Sequence, residues 1–227
     1  MKIGLLALLF PFALAWPTEG DTLKLEPTYK VGSTVRHSVK LSLVVSGTDA
    51  EVTSVVRKTV KGVAEQSITF DGAFEKLKVM LGETEFPVEA EPVSLEIRPS
   101  GELVSITGGV IQIDMARLYL AHTPVLPKLE VPVGEKWSVE IPASQKAGIP
   151  ATTFEGTYVG AEKIGEKEAF KITANVQEKG GEGFSSKATF WLDKDGTVLK
   201  FEADMRGLPI PQLGSNVDAK MTGSLVS

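Results

Sequence analysis

Apolar and polar residues alternate along most of this chain, and the alternation predicts strands. Val35, His37, Val39, Leu41, Leu43 and Val45 fall on one face of a first strand, with Arg36, Ser38, Lys40 and Ser42 on the other. Ser46-Gly-Thr-Asp49 reads as a turn, and a β-branched run follows from Val52 to Val60. Ile68 and Phe70 carry the next strand before Asp71-Gly72, and Phe74–Leu81, Val93–Ile97 and Leu103–Ile106 continue the pattern. In the second half, Trp137, Val139 and Ile141 alternate with Ser138 and Glu140, while Phe154 and Tyr158 share a face across Gly156. Phe170, Ile172, Ala174 and Val176 make another apolar face, as do Phe190 and Leu192, then Leu199, Phe201 and Ala203, and last Val217, Ala219, Met221 and Leu225. One-sided alternation of this kind belongs to antiparallel sheets with one solvated face. The expected fold is mainly β: one large curved antiparallel sheet, or paired sheets, of roughly 11 to 12 strands.

One pattern recurs. Tyr29-Lys-Val-Gly-Ser-Thr-Val-Arg-His37 corresponds to Val131-Pro-Val-Gly-Glu-Lys-Trp-Ser-Val139, and Leu95–Ile106 corresponds to Phe190–Phe201. Each copy opens on a Val-Gly step and later turns at a glycine, Gly101 or Gly196. The offset is about 102 residues at the start and about 95 at the end. The expected organisation is therefore one β domain, 29–227, made of repeats 29–109 and 129–227 joined by a helix over 110–122. That helix is read from VIQIDMARLYLAH. Ile111, Met115 and Leu118 recur at helical spacing, with Tyr119 and His122 near the stripe and Asp114 and Arg117 off it. The stripe is expected to pack on the inward face of the second copy, through Phe170, Phe190 and Phe201.

Two loops carry apolar residues, Ala147-Gly-Ile-Pro-Ala151 and Gly207-Leu-Pro-Ile-Pro-Gln-Leu-Gly214. They are expected to fold down over the end of the sheet; the sharper reading makes them flaps at a binding mouth. Trp191 falls on the face opposite the core and is expected to be exposed or covered by the helix.

The N-terminus adds a compartment. Lys2, the apolar run Ile3–Leu14 and the small residues Ala13 and Ala15 form a secretory signal, with cleavage expected after Ala15 and a lead-in over 16–28. The apolar run is too short to cross a hydrocarbon core of about 30 Å, which needs roughly 20 residues, and no transmembrane segment is expected. The expected location is secreted or periplasmic. The sequence has no cysteine, which excludes disulfides, thiolate metal sites and a lipidated N-terminal anchor. A mature chain of about 210 residues is long enough to bury roughly 70% of its unfolded surface, so a core can stabilise it alone. The net charge is −5 with both signs interspersed, and no basic stripe points to nucleic acid.

Little catalytic chemistry is visible. The two histidines, His37 and His122, lie in unrelated contexts and read as structural residues rather than ligands. No nucleophile elbow, phosphate loop or dinucleotide fingerprint occurs. Asp193-Lys-Asp-Gly196 resembles the start of a calcium loop but lacks the later ligands, so a hairpin turn is the simpler reading. Gly180-Gly-Glu-Gly183 reads as a hairpin loop. No catalytic residue, metal or cofactor is assigned.

Taken together, the signal segment, the long run of antiparallel strands, the midway helix and the hairpins at Gly101 and Gly196 resemble the periplasmic lipoprotein-carrier superfamily. The resemblance implies a strongly curved half-barrel sheet around an apolar cavity. Such carriers usually place more than one helix on the concave face, whereas this chain shows one. The function expected is an exported, non-enzymatic binding module for a lipid, acyl chain or hydrophobic peptide, with Met115, Leu118, Tyr119, Phe170, Phe190 and Phe201 as candidate contacts. The alternative is a structural or protein-interaction domain of the bacterial cell envelope with a fully packed core.

Overall fold

A computed structural model describes residues 22–25, 27–110, 114–180, 183–210 and 214–226. The signal segment and Ile111 therefore lie outside the described residues. The fold is mainly β, as the alternation requires. A short pair, β1 (Thr22–Leu23) and β8 (Val131–Pro132), stands apart from one large antiparallel sheet. The first half supplies β2 (Thr34–Val45), β3 (Thr48–Val63), β4 (Ile68–Leu81), β5 (Thr84–Phe86), β6 (Ala90–Ile97) and β7 (Leu103–Val110). The second half supplies β9 (Lys136–Ile141), β10 (Thr152–Ile164), β11 (Lys167–Glu178), β12 (Ser185–Leu192), β13 (Val198–Ile210) and β14 (Ser215–Leu225). The order across the sheet is β7-β6-β4-β3-β2-β14-β13-β12-β11-β10-β9, with β5 on the side of β4. Within the large sheet, successive strands pair, except that β6 passes over β5 to pair with β4 and, at the centre, β14 returns to pair with β2.

The sheet curves around the single helix among the described residues, α1 (Met115–His122). The helix touches β7 at one edge and also β12 and β13 in the other half. Six strand steps separate β7 from β13, roughly 29 Å in a flat sheet at about 4.8 Å per step. A helix about 10–12 Å across reaches both only if the sheet wraps it. At the open side, the Ser144 hydroxyl, from the loop after β9, donates to the Val104 carbonyl of β7 at 3.0 Å. Ala147 and Ile149 of that loop are buried, so it does fold inward.

The turns of the two halves match in detail. Gly32 N–H donates to Val60 O, Val60 N–H to Ser33 O, and Ser33 N–H to Lys30 O. Gly134 N–H donates to Tyr158 O, Tyr158 N–H to Glu135 O, and Glu135 N–H to Pro132 O. Gly101 donates to Arg98 O in the β6–β7 turn and Gly196 to Asp193 O in the β12–β13 turn, both at positive φ. The Asp193 carboxylate accepts from the N–H groups of Asp195 and Thr197, which accounts for the acidic residue in that turn.

Several expectations are corrected. The helix is two turns long, because Asp114 is its N-cap and accepts from Arg117 N–H at 2.9 Å, while Val110 belongs to β7. Arg117 does not point to water. It is 14% exposed, and its Nε lies 2.7 Å from the Glu178 carboxylate, itself 4% exposed, at the end of β11. Met115 is only half-buried, no deeper than Arg117, whereas Leu118 is buried. Gly207–Ile210 is not a loop. It continues β13 past a bulge at Gly207, with Leu208 fully buried. Trp191 is neither exposed nor under the helix. It lies on the outer face and is buried by Leu199, Ala169 and the stems of Lys171 and Lys200, whose ammonium groups sit 5.3 and 4.5 Å from its ring.

The buried Arg117–Glu178 pair is what clamps α1 to the second half. Glu178→Ala leaves Arg117 its second partner, Asp114, but removes the cross-link and the acceptor of the buried Phe184 N–H, so it should lower stability by about 1–3 kcal/mol. Urea denaturation of the parent and variant checks this.

Candidate functional site

The inward faces of the two halves differ in how they are covered. In the second half, Phe154, Tyr158, Ile172, Phe190, Leu192 and Phe201 are essentially inaccessible, and α1 packs over β12 and β13. The strap after α1 is pinned by Trp137 Nε1–H to Val125 O at 2.9 Å and by Leu126 N–H to Ser100 O at 2.8 Å. In the first half the same alternation holds, yet the inward residues Val35, Val39, Val52, Val56, Phe70 and Phe74 stay only half-buried. No second helix fills the space above them among the described residues. What remains is a cavity of about 250 Å³ between β2, β3, β4, β6 and the exposed side of α1.

The cavity brings together four of the six candidate residues. Met115, Leu118 and Tyr119 line it from the helix, and Phe201 lines it from β13. Phe170 and Phe190 do not. Phe190 is core, and Phe170 packs against Tyr158 with ring centroids 6.2 Å apart. Most of the remaining wall is aliphatic or aromatic, including Val39, Leu41, Val52, Val56, Val60, Phe70, Phe74, Val93, Leu95 and Ile97.

Part of the cavity wall is polar. Lys58 projects inward from β3, opposite Gly72 of β4. Its Nζ lies 3.2 Å from His122 Nε2 and 5.5 Å from the Tyr119 ring centroid. His122 Nδ1 bonds the Leu118 carbonyl, which sets Nδ1 as donor and leaves Nε2 to accept from Lys58. His37, inward on β2, bonds the Val198 carbonyl through Nε2 at 2.7 Å. The Tyr119 hydroxyl donates to Gly101 O at 3.0 Å. Burial pushes Lys58 down to about 8. Burial, with the Lys58 charge adding to it, pushes His37 down to about 4 against the pull of its carbonyl bond. Burial and then the Lys58 charge hold His122 well below the ordinary histidine value. Tyr29 and Tyr119 are pushed up by burial. Lys58 was not a candidate from sequence. The signal was there in Val52-x-Ser54-x-Val56-x-Lys58-x-Val60, an inward face interrupted by one charge.

A wider groove of about 1290 Å³ crosses the sheet elsewhere, along the register row Glu155, Asn175, Lys187, Asp204, Lys220 and Glu51. Its charges are mixed in sign and in part paired with one another, as in Lys220–Asp204 at 3.2 Å. Among the described residues no three histidine or acidic side chains gather to hold a metal ion. No helix among them is long and apolar enough to cross a membrane.

A search of solved structures finds a likeness to a domain from Vibrio parahaemolyticus, described as an outer membrane lipoprotein-sorting protein domain. The two share 9% identity over 86% of this chain and 83% of that one, with a TM-score of 0.23. No protein-family model and no curated protein matches the chain. At that TM-score the likeness carries no argument, and the functional reading rests on the cavity.

The buried histidines make stability depend on pH with a definite sign. A histidine depressed in the folded state leaves the unfolded chain binding more protons, so stability is full above pH 6.5 and falls as pH drops from there toward 4. Urea midpoints should already fall between about pH 6.5 and 5.5, where few carboxylates of the unfolded chain have taken up a proton. The slope in that window should flatten in a His37→Gln, His122→Gln variant.

Proposed function

We propose that this protein is an exported, non-enzymatic binding module that holds a hydrophobic ligand on the concave face of its first half. The observation that supports the reading is the unfilled apolar cavity beside α1. A protein built only to be stable gains by filling such space, since each buried methylene is worth about 0.8 kcal/mol and an empty cavity forfeits packing contacts. A volume of about 250 Å³ suits one small ligand or one acyl chain. The contacts are Met115, Leu118, Tyr119 and Phe201 from the helix side and the inward residues of β2, β3, β4 and β6 from the other. Within this reading the domain spans 29–227 and consists of two repeats, 29–109 and 129–227. The paired hydrogen bonds at Gly32 and Gly134, and at Gly101 and Gly196, support that organisation. Location outside the cytoplasm follows from the signal-like segment before Trp16.

The alternative reading, an envelope protein with a packed core, differs in what filling the cavity does. Val56→Phe puts a ring into the space between β3 and α1. The neutral probe N-phenyl-1-naphthylamine should brighten with the parent protein, and its affinity should drop at least tenfold in Val56→Phe while the denaturation midpoint holds or rises. A packed core predicts no brightening in the parent and an overpacking loss of about 1–3 kcal/mol in the variant. Mass spectrometry of organic extracts of the purified protein then identifies the resident ligand.

A further inference from the structure

Lys58 is the feature that a purely hydrophobic pocket leaves unexplained. Its ammonium sits within an apolar cavity, with a histidine nitrogen and a tyrosine ring as its neighbours. Among the described residues no carboxylate forms an ion pair with it. The groups around it are uncharged at neutral pH: His122 and His37 are depressed, Tyr119 and Tyr29 are raised. Asp195 lines the rim, but it is exposed and faces Lys194 at 3.3 Å. A lysine depressed only to about 8 still carries its proton at pH 7. The cavity therefore holds one uncompensated positive charge.

The stretch of the cavity between Lys58 and Val52 holds no other charge. From Lys58 the inward face of β3 runs through Val56, Ser54 and Val52, about 20 Å of strand at 3.3 Å per residue. Leu41, Phe74 and Leu77 flank it. The site is thus polarised along its length: a point cation, then an apolar trough. Lysine offers a compact charge with rotatable donors, which suits a small anionic head rather than a broad planar one.

Resting on the reading of this cavity as a hydrophobic site, we infer that its ligand is a single-chain amphiphile with a carboxylate head. The carboxylate pairs with Lys58 Nζ, and the chain lies along the inward face of β3 under α1. Pairing supplies the missing counter-charge, and His122, held by the Leu118 carbonyl, keeps the ammonium in position. The narrow volume favours one chain over the two or three of a membrane lipid.

Calorimetric titration of the full chain with tetradecanoate, tetradecanol and tetradecyltrimethylammonium, each below its micellar concentration, tests the inference. The acid should bind at least tenfold tighter than the alcohol at pH 7, and the cationic chain weakest. In Lys58→Met the acid should lose at least tenfold and the alcohol should hold or gain. Lys58→Arg should recover part of the preference for the acid. The preference in the parent should fade as pH rises past the point where Lys58 loses its proton. Equal binding of acid and alcohol, unchanged in Lys58→Met, would overturn the head-group assignment and leave the hydrophobic site standing. Binding of none of the three chains would instead sink the hydrophobic reading itself. Tetradecyl phosphate binding well above tetradecanoate would overturn the carboxylate in favour of a phosphate head. The denaturation midpoint of Lys58→Met should equal or exceed that of the parent at pH 7, so loss of binding cannot be assigned to unfolding.

Discussion

Among the described residues one short helix covers this wide sheet, and that mismatch of areas governs the structure. Eight helical residues span about 12 Å along the axis. The concave face they meet is built from eleven consecutive strands. The helix can seal one side of that face and not both. The buried Arg117–Glu178 pair and the bonds of Trp137 and Tyr119 commit it to the second half and to β7. The cost of the uncovered apolar surface then falls on the first half. There it takes the form of a cavity rather than a collapsed core, because β2, β3 and β4 are held in register by their own ladders and by β14.

The bulges and glycines make that geometry attainable. Gly156 lies opposite Trp137 in the β9–β10 pair, and a Cβ there would meet the indole at 2.2 Å, so the ring lies flat over bare backbone. Gly223 serves Phe201 in the same way, again at 2.2 Å. Two large aromatics thereby settle on the concave face without pushing the strands apart. The long strands of the first half bend at irregularities near Thr53 and Val60 of β3.

The strands were legible in the sequence because one face is wet and the other dry. That contrast writes a period of two into β2, β9–β13 and β14, and the faces assigned to Val35–Val45 and Phe170–Val176 match their exposure. Legibility failed where burial did not follow the alternation. Trp191 is buried on the wet face because lysine stems and Leu199 cover it locally. Arg117 looked like a solvent residue because its partner, Glu178, is 61 residues away in sequence. Phe190 and Phe201 look alike in sequence, one in core and the other on the cavity wall, and only the position of the helix separates them. The same limit hid Lys58. A charge on an inward face is readable; whether the space in front of it is filled is a matter of where a distant element lands.

That charge has an energetic sign that bears on what the first half is for. Lys58 titrates near 8 in the folded chain against about 10.5 when unfolded. By linkage its contribution to stability is full only above 10.5 and is lost as pH falls through 8, so at neutral pH the empty cavity is less stable for holding it. A methionine of similar length would fill the position without the desolvation cost. The histidines beside it act in the same sense, since each stays neutral only at the expense of proton affinity. Three basic side chains packed against an apolar trough form a site whose electrostatic energy improves when an anion enters, while the unfilled walls supply the dispersion contacts that a chain would complete. The uncovered area and the uncompensated charge meet in the same 250 Å³, and one amphiphilic occupant relieves both.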